Sequence, residues 1–371
     1  MESFAFWCTR RNNSANTPSI DVVANFNLWM PNVGKGNPVL DVGFKISHVS
    51  YESQKQEAMR EERASTICGL IEAISFYCPF QVDSSEVEDL SNVMKKPEVA
   101  GAIFNENCTV EANDSYLYDV IKPERDGPDA RFYLCNCNSE KPACHPRSKG
   151  TEIRIRLNQE NADDIPIYVR FRIDSPGLRN ITIHSKAKDR LLTSAFTKED
   201  VIDFRFNDYR TMDAELVRII DGIAKENVTI EHMQVHFLLM TKAIVDVKHW
   251  SELKEVRPLE RHIWSSYLPA SITLSASDTR PENTEVAWHW KSTKDTAVDG
   301  YKLYLLLQSH VSNFKTIIMY LLILLIITIV FDAISEHVRS LLSDKCRCQP
   351  TPVSRLSSCM VFSVLRLWKN V

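Results

Sequence analysis

Along much of the chain apolar and polar residues alternate, the period of strands with one buried face. The alternation runs through Ile20, Val22, Ala24, Phe26 and Leu28, and again through Leu40, Val42, Phe44 and Ile46. The stretch between them, MPNVGKGNP, is loop chemistry, so the two strands are expected to pair as a long-looped hairpin. Gly34-Lys35-Gly36 within it lacks the longer Gly-x4-Gly-Lys-Ser/Thr frame of a phosphate loop.

The period then changes. Ile67, Leu70, Ile71 and Ile74 fall at helical spacing behind the charged stretch SQKQEAMREERAS, which predicts a helix that Pro79 ends. A second short helix is expected from Ser85, with Glu88 completing a capping box. Between Pro97 and Gly150 the pattern weakens into short strands and loops.

The middle of the chain is the most regular. Ile153, Ile155 and Leu157 alternate, as do Ile165, Ile167, Val169, Phe171 and Ile173, and Ile181 with Ile183. Turn-rich NQENADD and DSPGLRN separate them, so consecutive antiparallel strands are expected. Arg154, Arg156, Arg170 and Arg172 then fall on the polar face of two neighbouring strands. Such a row reads first as a solvated face that resists aggregation, and second as a candidate for holding a phosphate or carboxylate bidentately. A strand over Ile202, Phe204 and Phe206, a helix near 213–225 and a strand over Ile230, Met233, Val235, Phe237 and Leu239 follow. His232 and His236 share the opposite face of that strand and form a conceivable metal pair, without the Glu of a His-Glu-x-x-His site. VAWHWKST reads as a further strand, and YKLYLLLQSHVSNFK as an amphipathic lead-in.

That lead-in opens onto the one stretch of different character. Thr316 to Phe331, TIIMYLLILLIITIVF, holds no charge, Gly or Pro, and as a helix of about sixteen residues covers about 24 Å of a ~30 Å hydrocarbon core. Extended to Phe314 and Ile334, with Lys315 snorkelling and Asp332 at the far interface, it spans a bilayer. The lipid bilayer is thus the expected partner of this helix. The pattern predicts an α+β fold: an antiparallel-sheet-rich soluble region followed by a single C-terminal transmembrane helix. Its divisions are a mixed α/β region over 1–150, a β-rich region with one helix over 151–300, lead-in and transmembrane helix over 301–335, and a short basic tail over 336–371.

Composition narrows the function classes. The chain is 44% hydrophobic and 25% charged, the balance of an ordinary folded protein, and its net charge of -4 gives no case for nucleic acid as a partner. Seven of the ten cysteines precede the helix, an odd number that leans toward a reducing compartment. Against this stand five Asn-x-Ser/Thr sequons, at Asn12, Asn107, Asn113, Asn180 and Asn227. Cys135, Cys137, Cys144 and His145 gather three soft ligands and an imidazole, a candidate metal set, although Cys-x-Cys is not a standard zinc frame. No catalytic motif groups the Ser, His and Asp residues, and no cofactor is expected.

Topology signals conflict. Lys302 and Lys315 flank the helix on one side, and Arg339, Lys345 and Arg347 on the other, a mild preference for a cytosolic tail. The start of the chain, with Glu2 and then Arg10 and Arg11 behind a very short apolar patch, does not read as a signal peptide. The expectation is a single-pass cell-membrane protein with its large domain in the cytosol, binding or sensing a protein or small molecule. A metal-dependent hydrolase using the Cys/His set and an extracytoplasmic ectodomain are the alternatives.

Overall fold

A computed structural model describes residues 2–11, 19–31, 36–49, 66–112, 117–123, 130–135, 142–157, 165–185, 197–222, 228–249, 251–268, 272, 284–293, 300–310 and 314–345. The chain forms two compact units, Met1–Val311 and Ser312–Val371.

In chain order the strands of the first unit are β1 (Ala5–Arg10), β2 (Ser19–Trp29), β3 (Val39–His48), β4 (Ile71–Cys78), β5 (Val87–Asp89), β6 (Thr109–Ala112), β7 (Leu117–Lys122), β8 (Ala130–Cys135) and β9 (Ala143–Pro146). They continue with β10 (Thr151–Arg156), β11 (Ile167–Ile173), β12 (Thr182–Ser185), β13 (Thr197–Phe206), β14 (Thr229–Lys242), β15 (Val245–His249), β16 (Glu255–Pro258), β17 (Glu285–Lys291) and β18 (Tyr301–His310). The helices are α1 (Ile67–Leu70), α2 (Ser91–Met94), α3 (Pro97–Phe104), α4 (Ala214–Gly222), α5 (Arg261–Trp264) and, in the second unit, α6 (Phe314–Lys345).

The strands make three sheets. A ten-stranded sheet runs β16-β17-β14-β2-β3-β11-β8-β7-β6 with β5 also on β11, and two four-stranded sheets run β1-β4-β10-β9 and β12-β13-β18-β15. Most pairs are antiparallel; β14 with β2 and β11 with β8 are parallel. The expected hairpin is present, β2 on β3 from Ile20↔His48 to Trp29↔Val39. The two small sheets meet where Phe4 N donates to the Arg205 carbonyl and Asn207 N to the Phe4 carbonyl, each 2.9 Å.

The inward residues of all three sheets share one core. Ile20, Val22, Ala24, Phe26 and Leu28 of β2 and Met233, Val235, Phe237 and Leu239 of β14 pack with Ile74 and Phe76 of β4 and Phe204 and Phe206 of β13. Aromatic contacts tie the layers, with ring centroids 4.1 Å apart for Phe6–Phe44, 4.9 Å for Phe26–Phe204 and 5.4 Å for Phe4–Phe204. Each such buried side chain contributes about 1.5–3 kcal/mol. On the opposite face of the large sheet a second core holds Trp29, Leu90, Met94, Val99, Phe132, Leu134, Tyr168 and Trp264, under α2, α3 and α5. The fold is α+β, with the large sheet as the middle layer.

Four expectations are corrected. Helical spacing over Ile71 and Ile74 is a strand, since only the single turn of α1 precedes β4; a central strand buried on both faces carries a continuous apolar run that periodicity does not separate from a helix. The capping box lies at Asp83 and Glu86 on a 3-10 turn, Ser84–Glu86, and Glu88 sits in β5. β10, β11 and β12 do not pair with one another: each enters a different sheet, because alternation fixes which face is apolar and not which strand lies alongside. The lead-in Tyr301–His310 is β18, between β13 and β15, with Leu303, Leu305 and Leu307 in the core.

In the second unit α6 is one helix long and apolar enough to cross a membrane, over the 24 residues Ile318–Leu341 with none of that span buried. At 32 residues and about 1.5 Å each it exceeds a ~30 Å hydrocarbon core, so its C-terminal turns, through Asp332, Glu336 and Arg339, reach past the apolar run.

Candidate functional site

The polar residues of the large sheet converge on the face opposite the main core. Strand register places Lys291, His236, Asn25, Gly43 and Arg170 in one row across β17, β14, β2, β3 and β11. The adjacent row is His289, Leu238, Asn27, Asp41 and Arg172. Pleating points both rows to the same side.

One end of these rows is buried beneath α5 and the turn that follows it. Asp41, fully buried, accepts from Arg172 Nε (2.7 Å) and Nη2 (3.2 Å), from Trp29 Nε1 (2.8 Å) and from the Tyr267 hydroxyl (2.7 Å). Arg170 Nε donates to the Tyr267 hydroxyl (2.8 Å) and Nη1 to the Tyr168 hydroxyl (2.9 Å). Its Nη2 is satisfied when the Asn27 amide turns its oxygen toward it, at 2.8 Å. Arg172 Nη1 also holds the Tyr267 carbonyl at 2.9 Å. Two arginines face one buried carboxylate; the second negative charge is that of Glu88, 3.7 Å from Arg172 Nη1. Burial, with Asp41 alongside, drives the Tyr267 phenol far above its ordinary value despite the two arginines. Gly43 is required here: a Cβ would lie 2.2 Å from the Tyr168 hydroxyl. Each guanidinium nitrogen of Arg170 and Arg172 faces a protein acceptor, so the work of the cluster is to clamp residues 261–268 onto the sheet.

The other end is half-buried and holds a chain of imidazoles. Glu255 Oε1 lies 3.1 Å from His289 Nδ1, His289 Nε2 lies 3.1 Å from His236 Nδ1, and His236 Nε2 lies 3.1 Å from Gln234 Oε1. Burial first, then the neighbouring His289 and the lysines Lys291 and Lys254, push the His236 pKa down to about 3. Burial likewise lowers His289, against the opposing pull of Glu255. The Gln234 oxygen accepts from His236 Nε2–H, and with that ring neutral its Nδ1 accepts from His289 Nε2–H, while His289 Nδ1 faces the Glu255 carboxylate. The arrangement fixes the orientation of both rings on the face.

His232 and His236 do not converge as a metal pair. His232 Nδ1 contacts Asp21 Oδ1 at 2.9 Å, whereas His236 is committed to His289 and Gln234. The signal missed in sequence is His289, 53 residues from His236 and brought beside it by the pairing of β17 with β14.

The arginine row separates as well. Arg154 and Arg156 lie on β10 in a small sheet, where Arg154 pairs with Glu72 at 3.4 Å. Arg170 and Arg172 lie on β11 in the large sheet, buried. The four are thus not one face, for the pairing reason given above. Of the Cys/His set, Cys135 is buried in β8 of the large sheet, and Cys144 and His145 lie on β9 of a small sheet, where alternation turns them to opposite sides. Cys137 lies outside the described residues. Among the described residues no group of three or more His, Cys, Asp and Glu is arranged to hold a metal ion.

No family model and no curated protein sequence matches the chain. Among solved structures, crystal structures of the M1 zinc metallopeptidase of Deinococcus radiodurans, one with a bound Tyr-Ser-Ala substrate, align at 7% or 8% identity with TM-scores of 0.26 or 0.25, over 77% of this chain. The chain spans 42% of their length, and a likeness at this level supports no shared fold, activity or metal.

Proposed function

We infer that the chain is a single-pass membrane protein whose large unit is a recognition domain in the cytosol. The observation that carries the anchor is α6, whose apolar residues Leu321, Leu324, Ile326, Ile329 and Phe331 are all more than half exposed on different sides of the helix. Water penalises that surface at roughly 25 cal/mol per Å2, whereas each central Leu or Ile favours insertion by about 0.3–0.6 kcal/mol. Recognition is supported by the half-buried strip of the large sheet beside the clamp, where Asn25, Lys45 and Gln234 present donors and acceptors from neighbouring strands. The cytosolic assignment is supported by Cys8, Cys78, Cys108 and Cys144, free thiols that burial holds protonated. An ectodomain is the second reading, favoured by the exposed sequon residues Asn107 and Asn180.

Extraction at alkaline pH tests the anchor. The full chain stays in the membrane pellet, and a chain ending at Ser312 is released; release of the full chain by carbonate alone overturns the reading. Leu324→Arg should weaken insertion by about 2.5–3.5 kcal/mol. An impermeant thiol reagent on intact cells then reads orientation: labelling that disappears when Cys346, Cys348 and Cys359 are serine places the tail outside, and labelling of these residues only after permeabilisation places the large unit outside.

A further inference from the structure

Lys45 stands in β3 between Val23 of β2 and Tyr168 of β11, half-buried on the face of the large sheet that carries the imidazole chain. Its Nζ lies over the ring of Phe132, 5.2 Å from the centroid. A second ammonium, Lys122 Nζ of β7, lies 5.8 Å from the same ring and 5.1 Å from that of Phe104. The two rings are edge-to-face at 4.9 Å, and both touch Tyr168, at 5.0 Å from Phe104 and 6.0 Å from Phe132. The nearby carboxylate, Glu106, is engaged by Lys122 at 2.8 Å. Among the described residues no carboxylate lies within ion-pair distance of Lys45, so its amine meets an aromatic ring face and a like charge that lies over the same ring. Tyr168, the remaining titratable group against it, directs its hydroxyl to Arg170.

This is the environment that turns a lysine into a nucleophile: an aromatic wall that sheds water, a neighbouring cation, and a partial opening to solvent. We propose that Lys45 is a covalent binding site for small anionic aldehydes, with Lys122 beside it to attract the anionic group. The lone pair of Lys45 Nζ adds to the aldehyde carbon, the carbonyl oxygen takes up protons and leaves as water, and a C=N bond remains. No oxidant or reductant enters that step. Two ammonium groups against one carboxylate leave this part of the face with a net positive charge, which favours an anionic carbonyl compound over a neutral one. Burial and the Lys122 charge, opposed in part by Glu106, also lower the Lys45 pKa, so more of the amine is free near neutral pH. The site lies wholly within the first unit and does not depend on the membrane anchor.

The test uses the full chain in detergent with glyoxylate as the probe, cyanoborohydride to trap the imine as a secondary amine, and peptide mapping by mass spectrometry across pH 6 to 10. Lys45 should carry the adduct several-fold faster at pH 7 than Lys149, an exposed lysine paired with Glu2, and its rate should level off at lower pH. Lys122→Gln should slow Lys45 several-fold at pH 7 and move its profile to higher pH, and acetaldehyde should label less selectively than glyoxylate. Labelling of Lys45 no faster than Lys149, or a Lys45 profile unchanged by Lys122→Gln in a chain that still unfolds cooperatively, overturns the proposal.

Discussion

The two faces of the ten-stranded sheet are made by alternate residues of the same strands, yet they are buried by different means. One face is hydrocarbon: Phe26, Phe44 and Phe171 meet the small sheets, and close packing is enough. The other sinks Asp41, Arg170 and Arg172 under α5, and is held by hydrogen bonds that satisfy nearly every donor. Burying an apolar face needs shape, whereas burying an ionic one needs a complete set of partners. That difference also divides the polar face itself. The clamped end is closed to ligands because its donors are occupied, and the half-buried end keeps Asn25 and Lys45 to offer.

Substitutions separate the two kinds of burial. Phe26→Ala should cost about 3–5 kcal/mol through a cavity, and Arg172→Met about as much by taking from the buried Asp41 its two-point ion-pair partner. Urea midpoints of the large unit measure both. Adding Asp41→Leu should recover part of the Arg172→Met loss and none of the Phe26→Ala loss. Next in size, Gly43→Ala should cost about 1–3 kcal/mol, because its Cβ collides with Tyr168 rather than leaving a void.

The half-buried end should respond to acid. His236 titrates near 3 in the fold against 6.5 in the unfolded chain, so between those values the unfolded state binds the extra proton and stability falls as pH drops. The contribution is at most about 1.4 kcal/mol per pH unit, and His289 adds in the same direction. His236→Gln should therefore flatten the loss between pH 6.5 and 5; an unchanged slope would mean that the rings are solvated. The smallest effect is expected at Arg154, partly exposed beside Glu72, where Arg154→Gln should cost under about 1 kcal/mol.

What could be read from the sequence follows the same division. The hairpin of β2 and β3, the strands β13, β14 and β17, and the apolar helix were legible because each repeats a period over many residues. β4 was not, since a strand buried on both faces has no period to show. Arg170 and Arg172 look like solvent-facing residues in an alternating strand, and only the arrival of Tyr267, some 95 residues later, makes them interior. The imidazole chain draws on Gln234, His236, Glu255 and His289, and the lysine site on β3, β7 and β8. Neither leaves a local spacing to find. Long-range pairing, which alternation does not specify, builds both.

The claim that the clamped end is a buried network is tested most directly by a double-mutant cycle of Asp41→Asn and Arg172→Lys, run beside a cycle of Glu72→Gln and Arg154→Gln. The account predicts a coupling of about 1–3 kcal/mol for the first pair and under about 0.5 kcal/mol for the second, partly exposed pair. Equal, small couplings in both cycles would show that the polar face of the large sheet is solvated throughout, and would contradict it.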